Sequence, residues 1–408
     1  MKLEFTKQVI EKKQEIYLPC EVPAYPRNPQ WKNKGAELYI EQFGQAEFDR
    51  RIRQDYPMPM PDDSYWQRRK LDVELLQAKL MFGYKALMTG RRATHMRGQG
   101  ARGTLKIVDK PEFPEHDFFE AGKEFECRIR HANASFYDDA CTQVRSCSLK
   151  FANSDYESPL DVLMNSGPTS AFWNLKTFLD FSNARVGCSE NNWDSQKKWM
   201  KSSPAGYIGT IDAVRHAPSS FTSMTYYSKI AFPFKARDGK IRYVKYRIEP
   251  CDLVRESGLI STAMQRQPWV QSRMADDGRP REYLRQEYQS RLKKQGKIEY
   301  KLQIQVRPWE QATDTAEFFN MNREWNEKTW PWMDLAEVRI TNALPDEITE
   351  RMGMWLGHHP PSLGLTDAYS PLDYRSLCWA RPQVYPISRM NRSAKRMLNI
   401  QNKLPKEF

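Results

Sequence analysis

The spacing of apolar residues along this chain changes period twice. Between Gln67 and Met88 they recur at three- and four-residue intervals, at Leu71, Leu75, Leu76, Leu80, Tyr84 and Leu87, with Gly90 behind them as a stop. That spacing predicts one amphipathic helix. From Thr104 onward short β-branched and aromatic runs take over: Thr104 to Val108, Glu126 to Ile129, Ser146 to Phe151, Leu160 to Met164, Tyr226 to Phe234 and Ile241 to Ile248. Such runs predict the strands of an antiparallel barrel or sandwich. The sharpest turn signal is Asp238-Gly239, which supplies the positive-φ residues of a hairpin. After Cys251 helical spacing returns at Glu282 to Lys294 and Pro345 to Leu356, with one more strand at Tyr300 to Val306 and a last helix beginning near Trp379.

The chain before this pattern is rich in proline and charge and ends in Tyr56-Pro-Met-Pro-Met-Pro-Asp-Asp, which forms neither a continuous helix nor a central strand. We expect residues 1–65 to be an N-terminal arm lying over the body, residues 66–390 one interwoven α+β domain, and residues 391–408 a C-terminal tail. No internal repeat or low-complexity linker divides the middle.

Composition narrows the classes. With 408 residues, 40% of them hydrophobic, the chain can fill a substantial core. Its apolar runs are too short to span a bilayer, and Met1-Lys-Leu-Glu-Phe-Thr-Lys lacks the apolar stretch of a signal peptide, so a cytoplasmic location is expected. Seven cysteines, an odd number with no C-x-x-C pair, are expected to be free thiols. The net charge of +12 is spread among acidic residues rather than clustered, which argues against a nucleic-acid partner. The same field suits an anionic small substrate or peripheral contact with an anionic membrane.

Three groups could carry chemistry. Gly98-Gln-Gly100-Ala-Arg-Gly103 has the letters of a dinucleotide fingerprint but follows a helix and runs into a strand, the reverse of what that motif needs. Its glycines then serve sharp bending or close approach to a large flat ligand. His95 stands just before it, one of six histidines, none of which forms H-E-x-x-H or a zinc pattern. Near the C-terminus Arg381 and Tyr385 are four residues apart, which on a helix brings a guanidinium to a phenol oxygen. A cation there favours tyrosinate, a known haem iron ligand.

These residues, together with Arg91-Arg-Ala-Thr-His95, Phe113 to Gly122, Arg128-Ile-Arg-His-Ala-Asn133, Leu160 to Asn165, Phe232 to Lys240 and Pro361 to Leu365, run in collinear order from about residue 40 to 390. In this the chain resembles the catalase superfamily, particularly the catalase-related allene oxide synthases. The resemblance implies an antiparallel β-barrel with helices around it and haem b buried between them. It implies Tyr385 as the iron ligand with Arg381 as its cationic partner, Arg92 and Arg130 on the haem propionates, and Phe172 stacked on the macrocycle. His95 and Asn165 match the distal catalytic pair. Thr94 departs from the apolar residue that catalases place there, and its hydroxyl is expected to hydrogen-bond the His95 imidazole. His131-Ala132 replaces the Phe-Ser of catalases, removing a serine near the histidine.

The resemblance implies a dehydratase that turns a polyunsaturated fatty acid hydroperoxide into an allene oxide without external reductant. Alternatives are a hydroperoxide lyase giving aldehydes, a hydrogen-peroxide-using peroxidase or catalase, and a non-catalytic haem carrier or sensor. No histidine-rich iron-binding helix remains for a lipoxygenase domain, so a separate lipoxygenase or dioxygenase is expected to supply the hydroperoxide. The chain is shorter than typical catalases and lacks the long arms of their tetramers, which leaves a smaller homo-oligomer open.

Overall fold

A computed structural model of the chain describes residues 34–55, 65–189, 192–311 and 318–397. Two helices, α1 (Lys34–Phe43) and α2 (Gln45–Asp55), occupy part of the expected arm. Most of their charged residues turn outward, whereas Asp55 turns inward to accept the Ala205 N–H at 2.9 Å, and Tyr39, Phe48 and Ile52 are buried. The Tyr39 hydroxyl donates to the Lys201 carbonyl at 2.6 Å, and its ring meets Tyr207 edge-on at 5.6 Å. Residues 34–55 thus pack as part of the body, because apolar residues every third or fourth position give them a face to bury. Residues 1–33 and the proline run at 56–64 lie outside the described residues.

Helix α3 (Tyr65–Thr89) leads into strands β1 (Gly98–Ile107), β2 (Glu124–Asn133), β3 (Gln143–Lys150) and β4 (Asp161–Ser166). Helices α4 (Leu175–Val186), α5 (Asp194–Ser202) and α6 (Pro204–Ala213) follow, which the sequence pattern did not predict. Then come β5 (Val214–Arg215), β6 (Tyr226–Tyr227), β7 (Phe232–Lys235), β8 (Ile241–Pro250), α7 (Thr262–Arg266), α8 (Tyr283–Gln295), β9 (Ile298–Pro308) and β10 (Met333–Ala343). The last elements are α9 (Asp346–Arg351) and α10 (Ser376–Met397). Strands pair in the order β2-β1-β10-β9-β8-β6-β4-β3, and β3 pairs with β2 to close an eight-stranded antiparallel barrel. The expected fold class is the observed one.

Several details differ from the sequence reading. The run from Tyr226 to Phe234 breaks into β6 and β7 around Lys229, whose φ of 62° no strand accommodates. Helix α9 stops at Arg351, well short of Leu356. The expected tail begins inside α10, which continues to Met397 with Arg392 and Lys395 buried. The Asp238-Gly239 hairpin is where its residues put it, with Gly239 at φ 72° and Phe232 opposite Val244. The six described cysteines are free thiols, and among the described residues no helix is long and apolar enough to cross a membrane.

Strand alternation decides what faces the helices. His131 on β2 packs against Tyr226 of β6 and Tyr300 of β9, neither a neighbouring strand, so it points into the barrel. Its Nε2 lies 3.1 Å from the Tyr300 hydroxyl, and burial pushes its pKa down to about 3. Arg130, one residue earlier, therefore points outward. The three glycines of the G-x-G-x-x-G segment lie in β1 and serve packing: a Cβ at Gly100 would sit 2.6 Å from Thr349 Oγ1, and one at Gly103 would sit 1.9 Å from the Arg339 carbonyl oxygen. The latter marks the bulge where β1 pairs with β10. Replacing Gly103 with alanine must push two paired strands apart, and is expected to lower the free energy of unfolding by about 3 kcal/mol. Thermal and denaturant unfolding check this; an unchanged midpoint would contradict the close approach.

Candidate active site

A cavity of about 230 Å³ lies between the outer face of the barrel and helices α3, α4 and α10. The barrel wall follows from register: Arg130 pairs with Ser148, Ser148 with Leu163, and Ser146 with Asn165, so all five stand side by side. The serines are small, which leaves depth beside the larger groups. Opposite them, α10 presents Arg381, Tyr385, Arg389 and Arg392, spaced to share one helical face. The Arg381 Nε donates to the Tyr385 hydroxyl at 2.8 Å. Pro386 has no N–H to give the carbonyl four residues earlier, and that carbonyl, of Pro382, instead accepts Trp355 Nε1 at 2.7 Å. Trp355 is thereby fixed as a piece of the cavity wall.

His95 enters between α3 and β1 with a left-handed backbone, φ 55°, held by its N–H on the Ala134 carbonyl at 3.0 Å. Such a conformation costs about 1–3 kcal/mol in a non-glycine residue and clusters at functional sites. Its Nδ1 is buried without a hydrogen-bond partner. Burial, then the nearby Arg130, Arg381 and Arg92, push its pKa down to about 3, so the ring is neutral at ordinary pH. Thr94 also lines the cavity, but the hydrogen bond expected between its hydroxyl and the His95 imidazole is not made at Nδ1, which has no partner. Asn165 is half-buried on β4. Phe172 lies in an apolar part of the cavity, edge-on to Phe178 at 4.9 Å, which in turn stacks on Phe82 at 5.7 Å. All eight residues singled out in the sequence thus line this one cavity.

The sequence reading missed four residues of the site. Glu350 accepts from Arg92 at 3.1 Å and from Arg130 at 3.4 Å, and Arg396 lies 4.0 Å away. Arg392 is buried beside them, its pKa drawn down to about 10 by burial and then by Arg130 and Arg396. Burial by itself would raise the Glu350 carboxyl, yet Arg130, Arg92 and Arg392 hold it below its usual range. Arg130 Nε has no partner, and Arg92 is depressed well below a normal arginine by burial and then by Arg130. Lys229 is the third omission, a buried lysine on the cavity wall whose Nζ donates to the Ser166 carbonyl at 2.9 Å; burial, then Arg215, lowers it to about 7. Trp355 is the fourth. Only Arg392 left a signal, through its helical spacing from Arg381 and Tyr385.

Comparison with known proteins places this geometry. The catalase family profile matches residues 73–361. The chain belongs to the catalase family. It is 40% identical over 360 residues to the allene oxide synthase-lipoxygenase protein of Plexaura homomalla, a match covering 87% of this chain and 33% of that protein. It is 27% identical over 315 residues to the linolenate 9R-lipoxygenase of a Nostoc species, covering 74% of this chain and 39% of the relative. This catalase-family chain therefore matches only about a third of the length of the first and two fifths of the second. A crystal structure of a fungal catalase superposes with a TM-score of 0.60 at 17% identity over 74% of this chain and 59% of the catalase, which supports the fold.

The residues present suit the family's haem. Arg92, Arg130, Arg392 and Arg396 gather around a single carboxylate, Glu350, so the cluster is short of negative charge and fits a ligand carrying two carboxylates. A phenol oxygen on a cation stands on the helix wall, and apolar side chains fill the rest. Glu350→Gln is expected to lower the unfolding free energy of the haem-free protein by about 3 kcal/mol, because it leaves buried guanidinium groups uncompensated. Sulfate should restore part of the loss; melting curves of both proteins against sulfate check it, and a deficit indifferent to sulfate counts against the charge deficit.

Proposed function

We propose that this catalase-family chain is a haem b enzyme that rearranges polyunsaturated fatty acid hydroperoxides, dehydrating them to allene oxides. The observation that carries the reading is the 40% identity over 87% of the chain to a protein named for allene oxide synthase, together with the Arg381–Tyr385 pair standing across one cavity from Asn165. Haem bound there supplies the ferric iron at which the hydroperoxide O–O bond breaks. Tyr385 would ligate that iron, with Arg381 holding the phenol oxygen in place. Arg92 and Arg130 would take the propionates, and Phe172 would stack on the ring.

The distal groups do the rest. His95, neutral and with Nδ1 unpartnered, offers an open ring nitrogen to hydrogen-bond the hydroperoxide, and Asn165 beside Ser146 offers an amide to orient it. The apolar wall around Phe172 and Phe178 holds the hydrocarbon chain and keeps water out. The net change is loss of water from the substrate, so neither dioxygen nor a reductant enters. Thr94 adds a hydroxyl at the same cavity. A lipoxygenase or related dioxygenase would supply the hydroperoxide, a link supported by the double name of the Plexaura protein. A cytoplasmic setting suits the free thiols.

Incubation with a panel of fatty acid hydroperoxides and mass spectrometry of the products tests the reading: products should equal the substrate less water, or be the isomeric ketol where water has opened the epoxide, whereas paired aldehydes would mean chain cleavage. Tyr385→Phe should lose haem or change its absorption spectrum strongly; a wild-type spectrum would remove Tyr385 as ligand. His95→Ala and Asn165→Ala should keep haem and lose roughly 10²–10⁴-fold in turnover, the usual contribution of a positioned acid–base group. Unchanged steady-state rates in both would put the chemistry elsewhere.

A further inference from the structure

Helix α3 has two apolar faces, and among the described residues only one is covered. Leu71, Leu75 and Ala78 are buried and, with Phe82, form the inner face; Ala78 and Phe82 reach the cavity. Tyr65, Trp66, Val73, Leu76, Leu80, Tyr84, Leu87 and Met88 are all exposed, Trp66 by 72% and Leu80 by 64%. At about 100° per residue these eight fall within an arc of about 140° on the opposite side, along a stripe about 35 Å long. The single amphipathic pattern expected from the sequence counts Leu76, Leu80, Tyr84 and Leu87 together with Leu71 and Leu75. Exposed Arg69, stacked over the Tyr65 ring at 4.9 Å, and Gln77 interrupt that arc, and most of the rest of it is apolar; soluble proteins seldom leave so large an apolar surface without a partner.

Charge and aromatic placement point to the partner. The helix carries five basic residues, Arg68, Arg69, Lys70, Lys79 and Lys85, against two acidic ones, Asp72 and Glu74, and Arg91 follows. Arg69, Lys70, Lys85 and Arg91 are exposed, while Asp72 and Glu74 are half-buried. Trp66 and Tyr65 sit at one end and Tyr84 toward the other, rings with an apolar body and a polar tip. A largely apolar stripe with cations on and beside it, and aromatics toward its ends, is the pattern of a helix that lies in the headgroup region of a membrane. A chain of net charge +12 adds long-range attraction to such a surface.

We propose that the outer face of α3 docks this protein on anionic lipid bilayers, lying in the interface without crossing it. The inference stands on the helix and its charge and does not require the proposed reaction. If that reaction holds, the same helix separates the bilayer from the cavity, since its inner face supplies Ala78 and Phe82.

The test is flotation of the purified full chain with phosphatidylcholine vesicles, with and without about a third phosphatidylserine. The wild type should float with the anionic vesicles, less at high salt. The triple variant Leu76→Ser, Leu80→Ser, Tyr84→Ser should bind at least about tenfold more weakly while keeping its unfolding temperature, since all three side chains are exposed. Arg69→Glu with Lys70→Glu should weaken binding to anionic vesicles. Failure of the wild type to float, or equal flotation of the triple variant, overturns the proposal. So does a wild-type dimer in gel filtration that the triple variant dissolves while neither binds vesicles, because the stripe would then meet a second copy. Lipid binding is read without turnover, so an inactive protein that floats leaves this inference standing and removes only the proposed reaction.

Discussion

Closure of the barrel by the β2–β3 pairing is the constraint on which the site depends. Once β3 is bound on both edges, its register is fixed on each side, and with it the parity of every residue on β2, β3 and β4. Ile129, His131, Cys147, Leu149, Val162 and Met164 share the buried inner parity, and Arg130, Ser146, Ser148, Leu163 and Asn165 the outer one. A slip of one residue would bury the guanidinium of Arg130 inside the barrel and turn His131 toward the helices. The apolar interior forbids that slip, so the core enforces the arrangement of the polar wall.

Local pattern made much of this legible. The strand runs near residues 104, 126, 146, 160, 241 and 300 are strands of the barrel, and Arg381 and Tyr385 do share a helix. What escaped has physical causes. Strand β10 is long, but five of its eleven residues are exposed and its register shifts between Asp334 and Ala336, so Leu335 and Ala336 are both buried and alternation holds only from Ala336 to Thr341. The helices between β4 and β5 draw much of their stability from tertiary packing; α6 is buried nearly throughout, so no amphipathic period marks it. Helix α3 misled for the opposite reason, since its apolar residues occupy two faces and a count of periodic positions cannot tell which is covered.

At the site, the residues that stand alone in sequence were visible and the ones that act through assembly were not. Glu350 has no motif around it; its role comes from three arginines on β2, α10 and the segment before β1 that converge only in the folded chain. The glycine segment shows the reverse hazard. Its letters match a nucleotide loop, yet each glycine is explained by a neighbour that a Cβ would strike: the His131 carbonyl at Gly98, Thr349 at Gly100 and Arg339 at Gly103.

Trp355 joins the two sides of the cavity. Its indole N–H reaches the Pro382 carbonyl on the helix that carries Tyr385, and its backbone N–H reaches Asp161 at 2.8 Å, four residues before Asn165 on the barrel. Asp161 in turn accepts from buried Lys150 at 3.0 Å and lies 2.9 Å from His358 Nδ1, so that end of the tie is anchored in the core. One residue therefore acts as a strut of fixed length between the walls. Tyr385 and Asn165 thus stand on walls that one tryptophan bridges, and neither wall can shift alone without stretching a bond to the other.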